Sequence, residues 1–219
     1  MKTDELLKTR LFRGFTTEEL IDALRALHAH GRNYQKGDWI LASGETIKEI
    51  GLVLQGSVLI ENNDVWGNRS IMEKVPRGQA FTVTYALQSN LPIPIDVTAA
   101  EPCSVMFLDV PVIQENQSAQ IWHVKFLSNI LRLTAARNYA LITRGMHTQP
   151  KTVRERVLSY LGTEAKTAGG LSFTIPFDRQ QMADYLNLDR SALSKELGKM
   201  KKEGLIDYKK NRFKLCTAR

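Results

Sequence analysis

Histidine is missing from the whole stretch 33–109, and cysteine occurs only twice in 219 residues, at Cys103 and Cys216. Two thiols cannot supply a disulfide framework or the four thiolates of a structural zinc or iron–sulfur site. The stretch without histidine is the one richest in short apolar runs. A cupin-like metal enzyme, which needs clustered imidazoles and a carboxylate on its strands, therefore has no ligands there. His28, His30, His123 and His147 are scattered elsewhere and read as surface or helix residues, which argues against an axial haem ligand. No apolar run approaches the ~20 residues of a membrane helix. The opening MKTDELLKTRLF has acids early and no apolar core of a signal peptide. The expectation is a cytoplasmic protein with no membrane partner, no catalytic residues, no metal and no resident cofactor.

What is present is ordinary in amount and unusual in distribution. Hydrophobic residues make up 43% of the chain and charged residues 24%, as in a soluble globular protein. Residues 1–149 hold 15 Lys/Arg and 15 Asp/Glu, whereas residues 150–219 hold 15 against 8. The whole formal charge of +7 thus falls in the last third of the chain. A small basic domain joined to a neutral one suits a polyanion reader attached to something else.

Periodicity separates the chain further. Residues 3–30 carry Leu6, Leu7, Leu11, Leu20, Leu24 and Leu27 at helical spacing, with a helix start at Thr17-Glu18-Glu19. From Asn33 to Asp109 the runs WILAS, IGLVLQ, SVLIEN, RSIMEKV, PIPIDVTA and SVMFLD alternate with glycines, including Gly44, Gly56 and Gly67. Short, evenly spaced strands with glycine punctuation predict an antiparallel β-roll of jelly-roll type, with Pro92 and Pro94 at an edge or a strand start. Residues 118–145 then run without proline, long enough for a helix of ~42 Å. On it Val124, Leu127, Leu131, Ala135 and Ile142 form one stripe, and Phe126, Ile130, Leu133 and Ala140 an adjoining one. One stripe can cover the roll and the other can meet a second copy of the chain, with Val124, Leu127 and Leu131 as the seam of a parallel homodimer. Gly145 and Pro150 predict the end of this helix and a hinge. The fold class is α+β in three parts: 1–117 a β-roll with N-terminal helices, 118–149 a dimerisation helix and hinge, and 150–219 a C-terminal domain.

That last domain contains FDRQQMADYLNLDRSALSKELGKMKKEGLI. Asp178 followed three residues on by Gln181 has the form of a capping box. Leu186-Asn187-Leu188 makes a turn in which asparagine tolerates the left-handed conformation, and Asp189 can cap a second helix. Ala192, Leu193, Leu197 and Met200 would face inward; Arg190, Ser191, Ser194, Lys195 and Lys199 would face out. The pattern is a helix-turn-helix with a cationic outer face, followed by a basic hairpin around Lys210-Asn211 that can act as a wing. Arg190, Ser191, Ser194 and Lys195 stand where side chains reach base edges, and Arg190 and Lys195 are donors suited to guanine. Gln180, Lys199, Lys202, Lys209, Lys210 and Arg212 are expected on phosphates.

Neutral roll, long helix and winged helix-turn-helix, in that order, resemble the CRP/FNR superfamily of bacterial transcription regulators. YQKGDWILASGE and GLVLQGSVLI resemble the first half of its cyclic-nucleotide-binding-like roll, and RQQMADYLNLDRSALSKEL resembles its reader. The resemblance implies a homodimer on a near-palindromic operator, a small effector bound in the roll, and contact with RNA polymerase near promoters. Cyclic-AMP-binding members carry a Gly-Glu pair followed by an Arg-Ser pair. Here Val83 takes the glutamate position, and Ile93 and Pro94 replace the arginine and serine. No basic residue occurs from Ala80 to Val105 to balance a buried phosphate, which argues against a cyclic nucleotide. Ser191 stands where many members have glutamate, so the operator should differ at that base pair. Val83, Tyr85 and Ile93, with Arg137 and Asn138 where members place effector-contacting side chains, form the expected pocket. Its apolar lining suits a small, largely apolar or weakly acidic metabolite. A ligand-sensing subunit that binds no DNA is the competing reading; it leaves the basic domain without a purpose.

Overall fold

The computed structural model describes residues 2–63, 69–88, 90–111 and 120–216. Contacts divide the chain into two compact units, residues 1–136 and 137–219. The expected boundary at 117/118, Ser118 and Gly67 lie outside the described residues.

In the first unit a short helix α1 (Thr3–Leu6) precedes α2 (Thr17–Ala26). The expected helical stretch 3–30 is therefore two helices separated by turns, and its end belongs to a strand. Thr16 caps α2: its hydroxyl accepts from the Glu19 N–H at 3.2 Å, and Glu19 accepts in return from the Thr16 N–H at 2.8 Å. Eight strands follow: β1 (His30–Tyr34), β2 (Trp39–Leu41), β3 (Glu49–Gln55), β4 (Ser57–Asn63), β5 (Arg69–Pro76), β6 (Ala80–Phe81), β7 (Asp96–Ala99) and β8 (Cys103–Asp109). They form two four-stranded antiparallel sheets, β1-β8-β3-β6 and β2-β7-β4-β5. Pro92 and Pro94 precede β7, where no ladder hydrogen bond is lost. The polar strand β1, HGRNY, carries no apolar period; the β8 ladder holds it, from His30 opposite Phe107 to Tyr34 opposite Cys103.

The alternation of β3 and β8 decides which faces are buried. Val53, Val105 and Phe107 point between the sheets and join Val58, Ile60, Val75, Phe81 and Val97. Gly51 faces the same way, and a Cβ there would sit 2.2 Å from the Phe81 ring, so only glycine leaves room for that ring. Ile50, Leu52 and Leu108 point to the opposite face and pack with Leu11, Phe12, Leu20 and Leu27. Between β6 and β7, a single helical turn α3 (Val83–Ala86) is preceded by Thr82 at φ +61°.

The long helix α4 runs over Ile121–Thr148, 28 residues. Gly145 lies inside it and does not end it. Glycine in a helix interior costs only ~1 kcal/mol, which surrounding contacts override. Trp122, Phe126 and Ile130 are buried in the helical core of the first unit, and Asn129 donates to the carbonyls of Leu11 and Arg13 at 3.0 and 2.9 Å. Ala140, expected on that buried stripe, is exposed.

The second unit takes in the end of α4 and then α5 (Val153–Ala168), capped by Thr152 and closed by Gly169 at φ +70°. Strand β9 (Ser172–Thr174), helices α6 (Arg179–Tyr185) and α7 (Arg190–Lys202), and strands β10 (Ile206–Lys209) and β11 (Arg212–Leu215) complete it. The small sheet is ordered β10-β11-β9. Its core gathers Tyr160, Phe173, Met182, Leu193, Leu197, Met200 and Phe213.

Candidate nucleic-acid interface

The local signals that set the two helices are all in use. Asp178 accepts from the Gln181 N–H at 2.8 Å, and the Gln181 side chain accepts from the Asp178 N–H at 2.9 Å. Asn187 adopts φ +52° in the turn. Asp189 accepts from the backbone N–H groups of Ser191 and Ala192 at 2.8 and 3.0 Å. Those bonds and the Ser191 hydroxyl, which contributes most, hold the Asp189 carboxyl below its ordinary pKa. Leu193, Leu197 and Met200 are buried and Ala192 is half-buried, so α7 presents Arg190, Ser191, Ser194, Lys195 and Lys199 to solvent.

The four expected base-reading residues differ in freedom. Ser191 donates to Asp189, and Ser194 donates to the Arg190 carbonyl at 2.8 Å. Both hydroxyls must turn before they can reach a base. Arg190 and Lys195 have no ion-pair partner among the described residues.

The acids beside this face are neutralised from behind. Arg154 on α5 forks between Glu196 at 2.6 Å and Glu203 at 2.8 Å, which lowers the Glu203 pKa and raises that of Arg154. Lys201 pairs with Asp207 at 2.6 Å, raising the lysine and lowering the aspartate. Lys199 lies 3.9 Å from Glu196. Cations spent on structure thus tie up Glu196, Glu203 and Asp207, and Arg190, Lys195, Lys202, Lys209, Lys210 and Arg212 stay exposed. An outward field of one sign is what a polyanion requires.

The wing turn is pinned to the first helix of the pair. Lys210 sits at φ +55° between β10 and β11. Its carbonyl accepts from Arg179 at 3.1 Å, while the guanidinium lies over the Tyr208 and Phe213 rings at 5.2 and 5.6 Å. Burial there lowers the Arg179 pKa. Gln180, next along α6, is exposed and bonds Asp184 at 2.8 Å. Arg154 and Arg179 carry no local signal in the sequence, because their partners lie 31 to 49 residues away.

The other expected residues are distributed as follows. Val124, Leu127 and Leu131 are all exposed, at 66, 42 and 69%, with Ile121, Leu141, Ile142 and Met146 also exposed on the same helix. Ile93 is buried in the core between the two sheets, and Tyr85 packs against the same core. Val83 packs instead against the helical core, so it does not join them. Arg137 and Asn138 are exposed on α4 and fall in the second unit. Among the described residues no group of three or more His, Cys, Asp and Glu is placed to hold a metal ion, and no helix is long and apolar enough to cross a membrane.

The Crp-like helix-turn-helix domain family matches residues 155–218, which contain every residue expected to contact DNA, and the cyclic nucleotide-binding domain family matches residues 31–115. The chain belongs to the CRP/FNR family. Like the family, it is a DNA-binding transcription regulator with a cyclic-nucleotide-binding-like sensor domain. Among curated relatives of this CRP/FNR protein, the transcriptional activator protein FnrL of Cereibacter sphaeroides is 24% identical over 202 residues, covering 85% of this chain and 76% of the relative. The catabolite activator protein of Thermus thermophilus shares the fold at TM-score 0.52 and 20% identity, over 95% of this chain and 94% of that one. So does the c-di-GMP-responsive regulator CLP of Xanthomonas campestris, at TM-score 0.53 and 14% identity, over 93% and 100%.

Proposed function

We propose that the protein works in the cytosol as a homodimeric, sequence-specific regulator. In this reading it places two copies of α7 in successive major grooves of a near-palindromic operator and contacts RNA polymerase beside promoters. The observation that carries the reading is the outward face of α7, where the Arg190 and Lys195 side chains have no ion-pair partner among the described residues while Glu196, Glu203 and Asp207 are each paired with a cation. The apolar residues left exposed on α4 supply the seam: burying Val124, Leu127 and Leu131 against a second copy removes them from water at ~25 cal/mol per Å².

The switching ligand in this reading binds in the roll and is not a cyclic nucleotide. Val83 and Ile93, both in apolar clusters, stand where a carboxylate and a guanidinium would be needed. Thr82, at a left-handed φ beside Val83, falls where the glycine of the Gly-Glu pair would stand, and its buried hydroxyl is spent on the Phe81 and Glu49 carbonyls at 2.6 and 3.2 Å. A small apolar or weakly acidic metabolite against Tyr85 and Ile93 fits this lining.

Two measurements test the reading. Purified protein should enrich a defined duplex from a randomised pool, and calorimetry should give no heat with cyclic AMP or cyclic GMP. Failure to enrich any duplex removes the DNA-reading role. A micromolar dissociation constant for either nucleotide removes the assignment of the roll.

A further inference from the structure

We infer that Arg144 and Arg156 are positioning residues for DNA recognition: together they clamp the turn of the helix-turn-helix and set the angle at which α7 is presented. The inference rests on the DNA-reading role proposed above and adds residues outside the recognition helix.

The last carbonyls of a helix have no intrahelical donor and carry partial negative charge, so a cation placed there is favoured. At the end of α6 this need is met from two directions. Arg144, near the end of α4, donates through Nε to the Tyr185 carbonyl at 3.0 Å and through Nη2 to the Asp184 carbonyl at 3.0 Å. The same Nη2 lies 3.2 Å from Asn187 Oδ1, and the guanidinium carbon is 5.7 Å from the centre of the Tyr185 ring. Arg156, on α5, donates through Nη1 to the Leu186 and Asn187 carbonyls at 3.2 and 3.0 Å, and through Nε to the Pro150 carbonyl at 2.8 Å. Four consecutive carbonyls, from Asp184 to Asn187, are thereby held by two guanidinium groups.

The location gives this clamp its consequence. Asn187 is the left-handed residue of the turn, and Asp189, two positions on, caps α7. Its φ and ψ therefore determine how α7 leaves α6, and both its carbonyl and its side chain are gripped. Arg144 stands two residues after Ile142, an exposed apolar residue of the helix assigned to dimerisation. The side chain that holds the reader thus grows from the element that would fix the partner's position. Arg144 and the carbonyls it meets are accessible to solvent. Water can replace the lost bonds when the side chain is removed, but water does not hold an angle.

The test uses the duplex enriched by the unmodified full chain and a scrambled duplex of equal length, at several salt concentrations, with melting curves for every variant. Arg144→Ala should weaken the enriched duplex about tenfold, the worth of one lost base contact. Scrambled-duplex affinity and the salt slope should stay as they were, and the variant should remain folded at the assay temperature. Arg144→Lys should behave like Arg144→Ala, because one ammonium cannot span acceptors spread over the turn. Arg156→Ala should act in the same direction, and the double variant should lose less than the sum, since both side chains hold one turn. An unchanged ratio between the two duplexes would overturn the inference. So would equal weakening of both with the salt slope reduced by about one, which would make Arg144 a phosphate contact. Full rescue by Arg144→Lys, or loss only where the variant unfolds, would reduce the role to charge or to stability. If the unmodified chain enriches no duplex, the DNA-reading role itself falls, and the positioning role with it.

Discussion

Single side chains in the second unit divide by what they face. Lys195 projects from the reading face of α7, whereas Lys209 ends β10 beside the wing turn. Lys195→Ala should cost ~1–3 kcal/mol on the enriched duplex and relax preference there, while Lys209→Ala should weaken all duplexes alike and lower the salt slope by about one. Equal weakening by Lys195→Ala would remove it from the base-reading set. His147 faces inward: it is 2% exposed, with its ring nitrogens 3.0 Å from the Tyr185 and Thr163 hydroxyls and its ring edge-on to Tyr160. Burial lowers its pKa from 6.5. The unfolded chain then binds the proton more readily, so stability is full above pH 6.5 and declines as pH falls through that value toward the lowered one. His147→Gln should flatten the melting temperature across that interval; an unaltered slope would move the titration to another group.

Elements differ in how openly the chain declares them. The helix-turn-helix is readable because its signals are local: Asp178 with Gln181, Asn187 and Asp189 act within three residues of themselves. Strand β1 is not, since HGRNY has neither period nor apolar content and exists through its ladder with β8. Thr82 at positive φ is equally hidden, a β-branched residue held by contacts up to 33 positions away. Helix α4 lies between these cases. Its two stripes are legible in the sequence, yet Gly145 followed by Pro150 predicts an earlier stop than Thr148. The stripes carry a prediction. Phe126, fully buried, should cost ~3–5 kcal/mol on change to alanine whatever the oligomeric state. Leu127, 42% exposed, should leave the fold of a single chain intact as Leu127→Glu but halve the mass seen by light scattering at micromolar concentration. An unmodified chain of monomer mass would refute the seam.

For the whole molecule, the proposed dimer would join two readers through one helix pair and so impose a spacing on the DNA. Half-sites should be centred ~34–36 Å apart, one turn of duplex. Inserting five base pairs between them turns one half-site to the far side of the duplex, and affinity should fall to that of an isolated half-site in a gel-shift titration. Indifference to the insertion would mean that the readers bind independently. The recognition helix also has a consequence over longer times than any binding event. Leu193, Leu197 and Met200, which secure α7, and Arg190, Ser191, Ser194 and Lys195, which face solvent and are proposed to read the duplex, occupy opposite sides of one cylinder. Substitution on one side leaves the packing of the other intact. Lineages descending from this chain can therefore exchange one set of target genes for another without passing through an ancestor that fails to fold.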